Sequence, residues 1–164
     1  MAHRIEVALK NGFEDALGAK IADRIRKHLS IPVSTVKIID VFTVDAESVA
    51  AADLEQAGRE VLCDPVIQTA SLDGKLAHDA RWILEVGFRP GVTDNVGRTA
   101  RESIELFLDR PHDKPCAVYS SRQYLLDGEL ARDDVERIAK ELVANPLIQT
   151  WRIAPGMGFD GFEP

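Results

Sequence analysis

A chain of 164 residues with 45% hydrophobic content can bury a sizeable core, enough for one domain or two small fused ones. Its net charge of -7 is shared by both halves, 9 Lys/Arg against 13 Asp/Glu up to residue 80 and 11 against 14 beyond it, which argues against a phosphate-tracking face for nucleic acid. No apolar run approaches the roughly 20 residues of a membrane helix, the start MAHRIEVALK lacks the apolar stretch of a signal peptide, and the cysteines and histidines show neither CxxC nor HExxH spacing; a cytoplasmic chain without a metal site is expected.

In chain order, Ile5, Val7 and Leu9 alternate with Glu6, Ala8 and Lys10, the period of a half-buried strand. After Gly12, the residues Leu17, Ile21, Ile25 and Leu29 recur at every fourth position and predict an amphipathic helix. Pro32 closes it, and the β-branched run from Val33 to Asp45 predicts one bent strand or a tight pair. Leu54, Ala57, Val61 and Leu62 mark a second helix, ended by Asp64-Pro65 because the residue before proline is driven out of the helical region; Val66 to Leu72 is a short strand.

Residues 73–80 hold a glycine turn without periodicity and read as a linker. The pattern then restarts. Trp82, Leu84, Val86 and Phe88 alternate; Val96, Ala100, Ile104, Phe107 and Leu108 form a helical stripe; Val118 to Leu126 reads as a strand; Val135, Ile138, Ala139, Leu142 and Val143 read as a helix; Ile148 to Ile153 closes. The segment 155–164, PGMGFDGFEP, has the glycines and prolines of a flexible tail, or of a linker toward a catalytic domain.

The halves also agree residue by residue. One constant offset pairs Val7 with Val86, Gly12 with Gly91, Asp15 with Asp94, Gly18 with Gly97, Ile25 with Ile104 and Leu29 with Leu108. A slightly longer offset pairs Val36 with Val118, Phe42 with Tyr124 and Asp45 with Asp127, and DPVIQT at 64–69 answers NPLIQT at 145–150. Small changes of offset at connections are what loop insertions produce, so an internal duplication is expected, with units at 1–72 and 81–154.

Duplication separates fold from function. Gly12, Asp15, Gly18, Gly91, Asp94 and Gly97 occur in both strand-to-helix turns and read as a structural device: a glycine for positive φ, an aspartate to cap the helix, and a glycine for close approach of helix to sheet. Gly91 to Thr99 has one residue too many for a phosphate loop, and Arg98 stands where lysine belongs. Arg89, Asn95, Arg98 and Thr99 answer Lys10, Ala16, Ala19 and Lys20, and are the ligand or partner candidates of that turn. Gln149 matches Gln68 on the closing strands, a solvent-facing pair or a contact between copies; Arg122 lies in the polar run from Tyr119 to Tyr124, read as a solvated edge or a binding edge. No Ser/His/Asp constellation, carboxylate pair or nucleophile elbow can be assembled, so no catalytic residue is expected.

The segments EVGFRPGVTDNVGRTA, VYSSRQYLL, DPVIQ and NPLIQTW carry a resemblance to the PurS family, the small subunit of phosphoribosylformylglycinamidine (FGAM) synthase, and to the N-terminal PurS-like region of single-chain forms of that enzyme. The resemblance covers residues 4–153. It implies tandem α+β units, ferredoxin-like in character, with antiparallel sheets covered by helices. It further implies a non-catalytic assembly component of purine biosynthesis that bridges the ATP-dependent synthetase (PurL) and the glutaminase (PurQ), with ATP and Mg held by the catalytic partner and no cofactor in this chain. A homo-oligomer would fit the same reading, and the competing one is a ferredoxin-like pair that senses a small molecule.

Overall fold

The computed structural model describes residues 1–77, 79–110, 114 and 116–162. His78, His112 and the last two residues of the tail therefore lie outside the described residues. The elements follow in the order β1 (Ala2–Leu9), α1 (Ala16–Leu29), β2 (Val33–Asp45), α2 (Ala51–Val61), β3 (Gln68–Leu72), β4 (Trp82–Phe88), α3 (Asn95–Phe107), β5 (Ala117–Gly128), α4 (Arg132–Ile138) and β6 (Gln149–Pro155), with α4 running on into a π-helical turn over Ala139–Val143.

The fold is α+β, and its strands form one six-stranded antiparallel sheet in the order β3-β1-β2-β5-β4-β6. The expectation of separate sheets is corrected by β2. Its thirteen residues remain one strand, and the whole of it pairs with β5, from Val33 opposite Gly128 to Asp45 opposite Ala117. Local periodicity cannot announce such a seam, because alternation fixes which face a residue takes but not which strand lies beside it. Read from either edge, the order is closing strand, first strand, long strand.

All four helices cover one face. There the cores are shared between halves: α1 joins β2, β4, β5 and α4 through Ile21, Ile25, Val36, Leu84, Tyr124, Leu126, Val135 and Ile138. The other core joins α2 and α3 to β1, β2 and β5 through Ile5, Val7, Phe42, Val44, Leu54, Ile104 and Val118. The opposite face carries a smaller cluster of Ile39, Val41, Ile83 and Leu125, and residues from two segments outside the strands lie on it: Leu76, Ala77 and Ala80 from 73–80, Phe159 and Phe162 from the tail.

Both strand-to-helix turns have one construction. Gly12 and Gly91 adopt φ of +93° and +82°, open to glycine but strained for other residues. Asp15 Oδ1 accepts from Gly18 N at 2.7 Å while Oδ2 accepts from Ile38 N at 2.8 Å; Asp94 Oδ1 accepts from Gly97 N at 2.7 Å and Oδ2 from Ser120 N at 2.6 Å. Each aspartate thus caps a helix and ties it to the long strand just where β1 or β4 has ended, at Ala8 opposite Ile39 and Gly87 opposite Ser121. Gly18 and Gly97 let the first helical turn lie against the carbonyls of Val36 and Val118, space that a Cβ would fill.

Candidate functional site

A groove lies over the seam between β2 and β5 beside the start of α3. At its floor Arg122 Nε donates to Asp40 Oδ1 at 2.8 Å, and both side chains are about two-fifths exposed. Burial works against the Arg122 charge, but the facing Asp40 carboxylate outweighs it and holds the guanidinium more firmly protonated. Burial also pushes the neighbouring Tyr124 hydroxyl up, Arg122 opposing only part of the effect. A protonated phenol beside a neutralised ion pair supplies hydrogen bonds, not a general base.

This recess, about 210 Å³, is lined by Asp40, Phe42, Val96, Arg122, Tyr124 and Gln149. Phe42 and Val96 also line a second recess of about 410 Å³ between α2 and α3, with Leu62, Asn95, Thr99 and Ser103 on its walls. Of the six candidates from the sequence, four therefore meet here: Asn95, Thr99, Arg122 and Gln149. Val96, 58% exposed, is the apolar group at their centre. Thr99 Oγ1 donates to the Asn95 carbonyl and Ser103 Oγ to the Thr99 carbonyl, so these hydroxyls turn back on α3.

The other two stand apart. Arg98 is exposed on α3. Arg89 reaches the opposite side of the sheet, where it lines a cavity with Glu85, Tyr119 and Arg152; its Nε donates to the Pro146 carbonyl at 3.1 Å and its N–H to the Ile148 carbonyl at 2.9 Å. Lys10 does the same in the first half, its ammonium bonding the Pro65 carbonyl and its N–H the Ile67 carbonyl. Gln149 Oε1 accepts from Asn145 N, as Gln68 Oε1 does from Asp64 N, both at 2.8 Å. The two glutamines each brace their own proline turn rather than meet one another.

The polar run from Tyr119 to Tyr124 is corrected from an edge to the middle of the sheet, since β5 pairs with both β2 and β4. Its side chains are polar because they bond other side chains: Ser120 Oγ to Asp94, Ser121 Oγ to Glu85, Arg122 to Asp40 and Gln123 Nε2 to Glu85.

Sequence reasoning missed a buried charge cluster on the helix-free face. Arg4, Glu6, Glu85 and Gln123 are all at most 6% exposed. Arg4 Nε donates to Glu6 Oε1 at 3.0 Å and its terminal nitrogens grip both oxygens of Glu85; Leu76 N donates to Glu6 Oε2 at 2.7 Å, and Arg152 Nη2 to Glu85 Oε1 at 3.1 Å. Burial opposes the Glu85 charge, yet donation from Arg4, Gln123 and Ser121 wins and holds its carboxyl below the ordinary glutamate range. The available signal was that Glu6 and Glu85 repeat at matched positions of β1 and β4.

Among the described residues, no group of three or more His, Cys, Asp or Glu side chains could hold a metal ion, and no helix is long and apolar enough to cross a membrane. Residues 2–75 match the model of the PurS family, described as phosphoribosylformylglycinamidine (FGAM) synthase, which makes the first half a PurS-like region. No curated protein matches the chain.

Proposed function

From the premise that residues 2–75 are a PurS-like region, we propose that this chain is a non-catalytic assembly component of FGAM synthase in purine biosynthesis. The single observation that carries the reading is that family match, together with a second half that repeats the matched region's element order and its turn chemistry. On this reading residues 1–72 and 81–154 are duplicated units joined by 73–80, and one cytoplasmic chain supplies what two copies of a smaller subunit would otherwise form. Its partners are the synthetase (PurL) and the glutaminase (PurQ), as subunits or as domains of a longer enzyme, and ATP and Mg are bound by the synthetase.

The seam groove and α3 are the proposed partner surface. Asn95, Val96 and Thr99 offer a polar and apolar mixture on a rigid helix, and Leu106, 84% exposed, extends it. The test is reconstitution. Purified chain with ATP, formylglycinamide ribonucleotide and either glutamine or ammonia should give no amidine, and adding it to a synthetase and glutaminase lacking this component should restore glutamine-dependent turnover. Turnover by the chain alone, or no effect on the partners, would reject the proposal.

A further inference from the structure

Residues 73–80 and 156–162 meet on the helix-free face, and they are held there by different means. The first segment is tied to the sheet's own polar groups: Asp73 Oδ1 accepts from Arg4 N and Asp73 N donates to the Arg4 carbonyl, both at 2.7 Å, while Leu76 N donates to the buried Glu6 carboxylate. Its Ala77 and Ala80 are at most 9% exposed. The tail is tied less closely. Gly156 N donates to the Arg81 carbonyl at 3.1 Å; beyond it, among the described residues, the backbone of 157–162 makes one backbone–backbone hydrogen bond, from Phe159 N back to the Gly156 carbonyl.

Side chains supply the rest of the attachment. The Phe159 and Phe162 rings meet edge to face with centroids 5.1 Å apart, and both half-buried rings pack on the cluster of Ile39, Val41, Ile83 and Leu125. The Arg152 guanidinium lies 4.7 Å from the Phe162 ring centroid, and the exposed Asp160 carboxylate bonds Lys75 of the first segment. An exposed ion pair of this kind holds weakly, so the two rings carry most of the attachment. The path suits them: Gly156 lies so close to Ala80 that a Cβ would stand 1.7 Å from its carbonyl oxygen, and positive φ at Gly158 and Gly161 turns the chain so that Phe162 comes back beside Arg152.

The sheet beneath is complete without the tail. Ile39, Val41, Ile83 and Leu125 belong to β2, β4 and β5, each paired on both sides, and the other face of these strands carries the two helix-side cores. A segment with few backbone hydrogen bonds, lying over elements that are fully paired, opens locally at low free energy. We propose that residues 156–162 form a displaceable strap. Docked, it closes the apolar strip of Ile39, Val41, Ile83 and Leu125; lifted, it bares that strip while the sheet and helices stay folded. Any molecule that docks on this part of the face competes with the chain's own phenylalanines. The inference stands independently of the FGAM synthase reading.

NMR of the methyl-labelled full chain tests it. In the native chain, nuclear Overhauser contacts are expected between the two phenylalanine rings and the methyls of Ile39, Val41, Ile83 and Leu125. In Phe159→Ser/Phe162→Ser, the relaxation that a soluble gadolinium chelate causes at those four residues should rise by about threefold or more. The shifts and relaxation of Ile25 and Ile104, both fully buried on the helix side, should stay as they are. Absence of the ring contacts in the native chain would mean that the strap does not dock. Unchanged relaxation in the variant would mean that residues 73–80 close the strip alone, and loss of the dispersed Ile25 and Ile104 signals would make the rings part of the core. Each of these three results overturns the proposal.

Discussion

Asp40 and Arg122 are each other's counterparts in the two halves, and they face one another in the ladder between β2 and β5, bridged at 2.8 Å. Two identical strands paired about this point would set each such residue against its own copy, which for either of these charges is repulsive. Opposite charges here require the halves to differ. We predict that Asp40→Arg, which places two arginines together, destabilises the chain by about 1 kcal/mol, the bridge itself contributing no more than that because both side chains are partly exposed. Asp40→Arg with Arg122→Asp should recover most of the loss. Urea denaturation of the two single variants and the exchange checks this, and a non-recovering exchange would assign the cost to packing in the groove.

Asp94 has a larger stake in stability than its neighbours in sequence, since it caps α3 and holds the Ser120 amide and hydroxyl. Asp94→Ala should cost about 2 kcal/mol. Arg98→Ala should leave stability within about 0.5 kcal/mol and, if α3 is the partner surface, weaken association with the synthetase. Denaturation midpoints and co-purification separate the two effects; equal losses of stability would erase the distinction.

Glycine in a helix ordinarily costs about 1 kcal/mol relative to alanine. The sign should reverse at Gly97, where a Cβ would lie 2.6 Å from the Val118 carbonyl oxygen, and likewise at Gly18 beneath Val36. Gly97→Ala is expected to destabilise by about 2 kcal/mol as α3 is pushed off the sheet. A rise in melting temperature would show that the helix can shift without loss.

The buried Glu85 carboxylate sets a direction for acid sensitivity. Its folded-state pKa is depressed, so its contribution is complete above the ordinary value of 4.5 and is lost as pH falls through the folded value. Urea midpoints measured from neutral pH down to about 3 should fall on that acid side. Glu85→Gln, which leaves Arg4 with only Glu6, should cost about 3 kcal/mol at neutral pH and flatten the acid slope. An unchanged slope would place the acid sensitivity in other carboxylates.

What could be read in the sequence divides along the range of the forces. Ile5, Val7, Leu9 and Leu17, Ile21, Ile25 announce their elements because alternation and fourfold recurrence are local consequences of strand and helix geometry. The cap aspartates and paired glycines are legible for the same reason, their partners lying within a few residues or repeating in the other half. The β2–β5 seam, the Arg4–Glu85 contact and the covering of the second face by Phe159 and Phe162 join positions far apart in the chain. A glutamate at a strand's polar positions reads as solvated until the arginine that buries it is known. Arg89, Asn95, Arg98 and Thr99 stood together in sequence, but a turn followed by a helix sends Arg89 to one side of the sheet and Asn95 and Thr99 to the other.

Joining the halves through residues 73–80 changes the statistics of their meeting. Two separate chains would find the β2–β5 ladder only above some concentration and would lose it on dilution, whereas here each half meets the other at a fixed effective concentration, of millimolar order for short flexible connections. Seam formation thus becomes a first-order event. On the proposed duplication, either half can also accumulate substitutions without its partner changing in step, and that freedom is what allows an ion pair to form between the counterparts Asp40 and Arg122.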